Sequence, residues 1–221
     1  MKRFVCALAW GAAEARIWIA FAFLMSQAAA QGHSSQVLNI SREFPAPGSE
    51  EKYRTIEEDA ARICAEMMCP NPYIGIESLT GPKEAWWING FESDATLKRV
   101  GQQYANNREL TEALNGIAKR KRGLVADSME VVATYRKDLS RGPRWDVGQG
   151  RFLVITVTRG KPTEGTVFET ADGTRFVIRA ARTADEAESK AREGAQIFAV
   201  RQYWSMPAKA WITADPEFWK P

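Results

Sequence analysis

Glu77 is the side chain in this sequence best suited to general-base chemistry. It alternates with Tyr73 and Gly75 along the β-prone run Tyr73-Ile74-Gly75-Ile76-Glu77-Ser78-Leu79. A carboxyl desolvated beside Tyr73 and Trp87 has its pKa raised toward neutrality, where it can take and return a proton. Trp87 and Asn89 alternate in the same way along Ala85–Phe91, and Asn39 and Glu130 lie on further β-prone runs. Period-two alternation predicts that Tyr73, Gly75, Glu77, Trp87 and Asn89 share one sheet face, with Glu130 joining them, and that Ile74, Ile76, Trp86 and Ile88 share the other. We assign the isoleucine face to the helices and the polar-aromatic face to a candidate ligand pocket. The same pattern also suits a plain interface between two sheets. Glu77 and Glu130 would form a catalytic pair only if their side chains approach each other.

Other chemistries lack their residues. His33 is the sole histidine and lies in a Gly/Ser-flanked segment near the N-terminus. The folded body therefore offers no Ser-His-Asp or Cys-His arrangement, no histidine-ligated zinc and no usual haem ligand. Neither G-x-G-x-x-G nor G-x-x-x-x-G-K-[ST] occurs, and H-E-x-x-H is absent. Cys64 and Cys69 cannot complete a four-ligand metal site, so neither metal nor cofactor is expected. Carboxylate chemistry, or no catalysis, is what remains.

These residues need a scaffold. Val37-Leu38-Asn39-Ile40-Ser41 reads as a strand closed by Pro45-Ala46-Pro47-Gly48. Ser49 then suits a helix N-cap, and Tyr53, Ile56, Ala60, Ile63, Cys64 and Met67 mark an apolar stripe that ends at Cys69-Pro70. Two strands follow around a turn at Thr80-Gly81-Pro82. A second helical stretch starts at Ser93 or Asp94, breaks at Asn106-Asn107 and stops at Gly123. Its closing Lys119-Arg120-Lys121-Arg122 reads as a solvated helix end that complements the dipole. Met129–Tyr135 closes a β-α-β-β-α-β order over residues 36–138, a ferredoxin-like unit. Residues 139–150 read as a linker. Residues 151–221 read as a smaller, degenerate α+β unit without a first helix, because only a short turn separates its first two strands. The expected fold is α+β, with the sheets of the two units packed face to face.

The stretch Leu79-Thr80-Gly81-Pro82-x-Glu84-Ala85-Trp86, followed by Gly90-Phe91-Glu92-Ser93, resembles uncharacterised exported bacterial proteins that are similar to the dimeric α+β barrel superfamily. The resemblance covers roughly residues 36–160, and the sequence departs from the usual second unit beyond them. It implies two ferredoxin-like units per chain, with an intrachain pseudo-dimer or a homodimer as the expected assembly. The superfamily includes cofactor-free monooxygenases, haem enzymes, isomerases and binding modules, so it implies no single activity.

The N-terminus sets the expected compartment. Met1-Lys2-Arg3 and Arg16 precede the nine-residue apolar run Ile17–Met25, and Ala28-x-Ala30 suits cleavage before Gln31. The run is far shorter than the ~20 apolar residues of a membrane span, so residues 1–30 read as a signal peptide. The mature protein is then periplasmic or secreted, with no stable membrane span. Of the formal charge of +3, the leader accounts for +2, from Lys2, Arg3 and Arg16 against Glu14. A nucleic-acid partner gains no support from a charge near neutrality. In an oxidising compartment Cys64 and Cys69 could bridge across a helix end, or remain as two buried thiols. Trp211, Phe218 and Trp219 make an aromatic C-terminal tail that either docks on the body or meets a partner. The function expected is binding of a small ligand or protein partner. The alternatives are a cofactor-independent oxygenase or isomerase, or an envelope interaction protein.

Overall fold

β1 (Val37–Pro45) is flanked on one edge by β3 (Ala85–Phe91) and on the other by β4 (Val125–Tyr135), all antiparallel. These strands belong to a computed structural model that describes residues 34–162 and 164–220. The proposed leader, residues 1–30 with Cys6, and His33 beyond it lie outside the described residues. α1 (Glu50–Glu66) connects β1 to β2 (Tyr73–Ser78), while α2 (Asp94–Asn106) and α3 (Arg108–Arg120) connect β3 to β4. Pairing of β2 with β3 completes the order β4-β1-β3-β2, which is the split βαβ arrangement. Ser93 caps α2 by accepting the Thr96 N–H, and Asn107 caps α3 through Leu110. The Asn106-Asn107 break is thus a cap between two helices. Ser49 sits before α1 but spends its hydroxyl elsewhere, donating to the carbonyls of Ala46 and Leu124.

The second unit repeats the order without its first helix. β5 (Phe152–Thr158), β6 (Thr166–Thr170), β7 (Arg175–Ala181) and β8 (Ala195–Met206) pair as β8-β5-β7-β6, with α4 (Ala184–Lys190) before β8. The two sheets face each other and also join at both edges, β2 to β8 and β4 to β6, closing an eight-stranded barrel. Two amphipathic sheets with matching apolar faces can bury both by this closure. Leu38, Ile40, Ile76, Trp86 and Ile88 from the first unit meet Leu153, Ile155, Phe168, Phe176 and Phe198 from the second.

This reverses the expected sides of the first sheet. Ile74, Ile76, Trp86 and Ile88 point into the barrel, not toward the helices. Tyr73 and Trp87 lie outside, under the helices, with Tyr73 packed against Cys64, Cys69 and Leu110. Alternation groups residues by face but does not say which face goes inward. The barrel interior takes the aliphatic residues and Trp86 of this sheet against the phenylalanines of the second. Helices α1–α3 bring polar groups of their own and cover the mixed face.

Residues 139–150 connect the units and are part of the packing, since Trp145 and Val147 sit in the core and Arg141 bridges to Gly165. The C-terminal tail docks. α5 (Lys209–Ala214) and α6 (Pro216–Trp219) bring Trp211, Phe218 and Trp219 against the core. Arg151 grips Asp215 with two hydrogen bonds of 2.8 and 3.0 Å. Gly148, at φ +92°, is required there because any Cβ would overlap the Trp211 ring.

Cys64 and Cys69 form a disulfide with a Cα separation of 4.8 Å. An uninterrupted helix would hold residues at this spacing too far apart. Met68, in the left-handed region at φ 52°, turns the chain back, and the Cys69 N–H donates to the Cys64 carbonyl at 2.8 Å. Replacing both cysteines with serine is expected to lower stability by ~2 kcal/mol, the chain-entropy value for so short a loop. Urea unfolding without reductant measures it, and unchanged stability would rule out a stabilising bridge.

Candidate functional site

Tyr53 and Glu57 are one turn apart on α1, so both face the sheet. Beneath them on the outer face stand Glu43 of β1 and Trp87 of β3, from adjacent strands. Lys121 closes the group from the C-terminal end of α3. It falls four residues after Ile117 and continues the buried stripe of Leu110 and Ile117. The Lys121 Nζ lies 2.7 and 2.8 Å from the two Glu43 carboxylate oxygens and 2.9 Å from Glu57 Oε1. The Tyr53 hydroxyl donates to Glu43 Oε2 at 2.8 Å. The ammonium also stands 4.9 Å from the Trp87 ring centroid and 5.8 Å from that of Tyr53, within cation–π range.

Two carboxyls share one ammonium, so one of them has reason to keep a proton. Glu57 is 3% exposed. Burial pushes its pKa up to about 7, Lys121 opposes the rise, and Glu43 adds to it. Burial works to lower the Lys121 pKa, but the charges of Glu57 and Glu43 more than offset it, and the ammonium is held above its usual range. Burial first, then the nearby carboxylates, raise the Tyr53 hydroxyl, which remains a neutral donor. Near neutral pH the group therefore contains a fixed cation, a fixed hydroxyl donor and a carboxyl poised to exchange its proton. Such perturbed groups concentrate at functional sites.

A cleft of about 410 Å³ opens beside this group, lined by Glu43, Lys121, Gly123, Val125 and Asp127 among others. Glu57 sits one ion pair behind its wall. A ligand in the cleft would meet the Lys121 ammonium and the Glu43 carboxylate first.

The sequence-predicted residues are dispersed on the same outer face. Trp87 alone borders the Lys121 group. Glu77 is clamped between Arg54 at 2.8 Å and Arg201 at 2.5 Å, beside a second cleft of about 330 Å³ that includes Tyr203 and Trp204. Tyr73 is buried against the disulfide, and that burial raises its hydroxyl pKa. Asn89 accepts a 3.3 Å hydrogen bond from Asn71. Glu130 is exposed and accepts from Asn39 at 2.8 Å. Glu77 and Glu130 do not form a pair, because β3 and β1 lie between their strands. Three inter-strand steps put them roughly 14 Å apart.

Glu43, Tyr53, Glu57 and Lys121 were not singled out by sequence reasoning. The signal was present for two of them. Glu57 and Lys121 are charged residues at buried positions of amphipathic stripes, where an unpaired charge would be costly. The Lys119–Arg122 run is therefore more than a solvated helix end. Among the described residues, no group of three or more His, Cys, Asp or Glu side chains is placed to hold a metal ion.

No protein-family model matches the chain. No curated protein matches it in sequence. Among solved structures it is similar to a Fusobacterium nucleatum protein provisionally named a monooxygenase, at 11% identity and a TM-score of 0.48, over 80% of this chain and 94% of that one. A Lactobacillus acidophilus protein with the same provisional name aligns at 10% identity and a TM-score of 0.44, over 76% and 94%. An anthrone oxidase-like protein aligns at 12% identity and a TM-score of 0.39, over 85% and 79%.

Proposed function

We propose that this chain is an exported acid–base protein that binds a small ligand bearing an ionisable hydroxyl and stabilises its anion at Lys121. The observation that carries this reading is the buried Glu57 carboxyl, raised to about 7 and held 2.9 Å from the Lys121 ammonium behind an open cleft. A phenol or enol entering the cleft would place its oxygen against Lys121, whose charge favours the deprotonated form. Glu57, coupled to the same ammonium, would take up or return the balancing proton. Chemistry of this kind needs no histidine and no cofactor, and it suits an enzyme of the α+β barrel type better than an inert binder. Trp87 supplies an apolar floor beneath the ammonium. The Cys64–Cys69 disulfide supports export, since such bonds persist in oxidising compartments.

The probe we choose is 4-nitrophenol, whose absorbance reports its ionisation. With the protein present, its ionisation midpoint is expected at lower pH than in buffer alone. Lys121→Met should abolish that displacement. An unchanged midpoint with the wild-type protein would overturn the reading.

A further inference from the structure

β4 is eleven residues long, yet it pairs with β6 only through Ala133, Thr134 and Tyr135. Along Asp127–Val132 its opposite edge is paired with β1, the ladder bulging at Ala126 before Val125 meets Pro45, while this edge has no strand partner among the described residues. The pseudo-repeat explains the gap. The equivalent seam, β2 with β8, pairs from Tyr73–Met206 to Ser78–Phe198 and is covered by α1. The second unit has no first helix to cover its seam, and β6 turns away after Thr170. The exposed large hydrophobic residues of the described chain include Met129 at 39% and Val132 at 45%, both on this stretch. The Ser128 N–H, which points along the free edge, is satisfied only by the neighbouring Asp127 carboxylate at 2.8 Å.

We propose that this edge is a self-association site: a second copy of the chain adds its own β4, antiparallel, about a two-fold axis at Met129. Unpaired edges recruit strands, and a two-fold operation presents the same edge to itself. The alternation of β4 restricts the register. A two-fold axis normal to the sheet keeps inner faces together, so residues of the same parity must lie opposite one another. The register centred on Met129 uses all of Asp127–Val131, the regular stretch on the C-terminal side of the bulge at Ala126. It sets Ser128 opposite the partner's Glu130 and Val131 opposite the partner's Asp127. No like charges meet directly, and the two exposed methionines cover each other. Ser128 and Glu130 are on the phase that directs its N–H and C=O groups to this edge, because the odd-numbered Tyr135 donates its N–H to the β1 side at Gln36.

Sedimentation velocity of the purified protein is expected to show a dimer. Ser128→Pro removes an edge N–H without touching the β1 ladder and should give a monomer with unchanged circular dichroism. Met129→Cys should cross-link to itself under mild oxidation, because a non-hydrogen-bonded pair holds its Cα atoms ~4.5 Å apart, within disulfide reach. Glu130→Cys should not cross-link. A wild-type monomer, or a dimer in which Met129→Cys stays uncrosslinked, would overturn the proposal. If Ser128→Pro fails to fold, the cysteine pair decides alone.

Discussion

Glu57→Gln is expected to flatten the pH dependence of stability between about pH 5 and pH 8. In the folded protein the Glu57 carboxyl titrates at about 7, against 4.5 for an unperturbed glutamate. Between those values the folded state holds a proton that the unfolded state has released. Stability therefore falls as pH rises through this window, and the full penalty is present above pH 7. The displacement corresponds to on the order of 3 kcal/mol. Glutamine keeps the shape, carries no charge and leaves Lys121 its pair with Glu43. The variant should match the wild type near pH 5 and exceed it near pH 8. Urea unfolding at a series of pH values measures both curves. Parallel curves would mean that Glu57 does not titrate in this window.

The second large effect lies inside the barrel. Trp86 is fully buried, with ring centroids 4.9 Å from Phe198 and 5.9 Å from Phe176. Its Nε1 donates to Glu84 Oε2 at 2.7 Å, and the same oxygen receives the Arg42 guanidinium at 2.6 Å. That guanidinium lies 4.5 Å over the indole. Trp86→Ala would open a cavity costing ~3–5 kcal/mol and remove one donor from a buried carboxylate, a further ~1 kcal/mol or more. Trp86→Phe retains most of the volume and should lose about 2 kcal/mol, chiefly the hydrogen bond and the ring edge. Denaturant midpoints of both variants test this. A loss below about 1 kcal/mol for the alanine would contradict a packed interior centred on this ring.

The contrast between Trp86 and Trp87 shows what the sequence could and could not convey. Alternation placed them on opposite faces, and they are. It could not say which face closes inward, because that depends on the second unit's sheet meeting the first. The residues Phe168, Phe176 and Phe198 that decide the matter are remote in the chain. The ferredoxin-like order over residues 36–138 was legible because each helix carries a long stripe and each strand a short β-prone run. The second unit was legible as a degenerate copy, but its closure of the barrel rests on edge pairings that no local pattern encodes.

The site was less legible than the fold. The lack of a histidine beyond His33 directed attention to carboxylates. Glu77 drew that attention because aromatics flank it, yet the structure pairs it with Arg54 and Arg201, two charges it cannot anticipate from neighbours in sequence. Lys121 reads in sequence as part of a solvated helix end, and Glu57 draws no attention unless its place on the buried stripe of α1 is weighed. Their burial comes from α1 and α3 packing over the same part of the sheet.

The most direct measurement is the titration of the Glu57 side-chain carboxyl carbon by NMR in the labelled protein, with Glu57→Gln for assignment. A midpoint near pH 7 is predicted, rising further in Lys121→Met as the opposing charge is removed. A midpoint in the ordinary glutamate range, unmoved by Lys121→Met, would contradict the acid–base site.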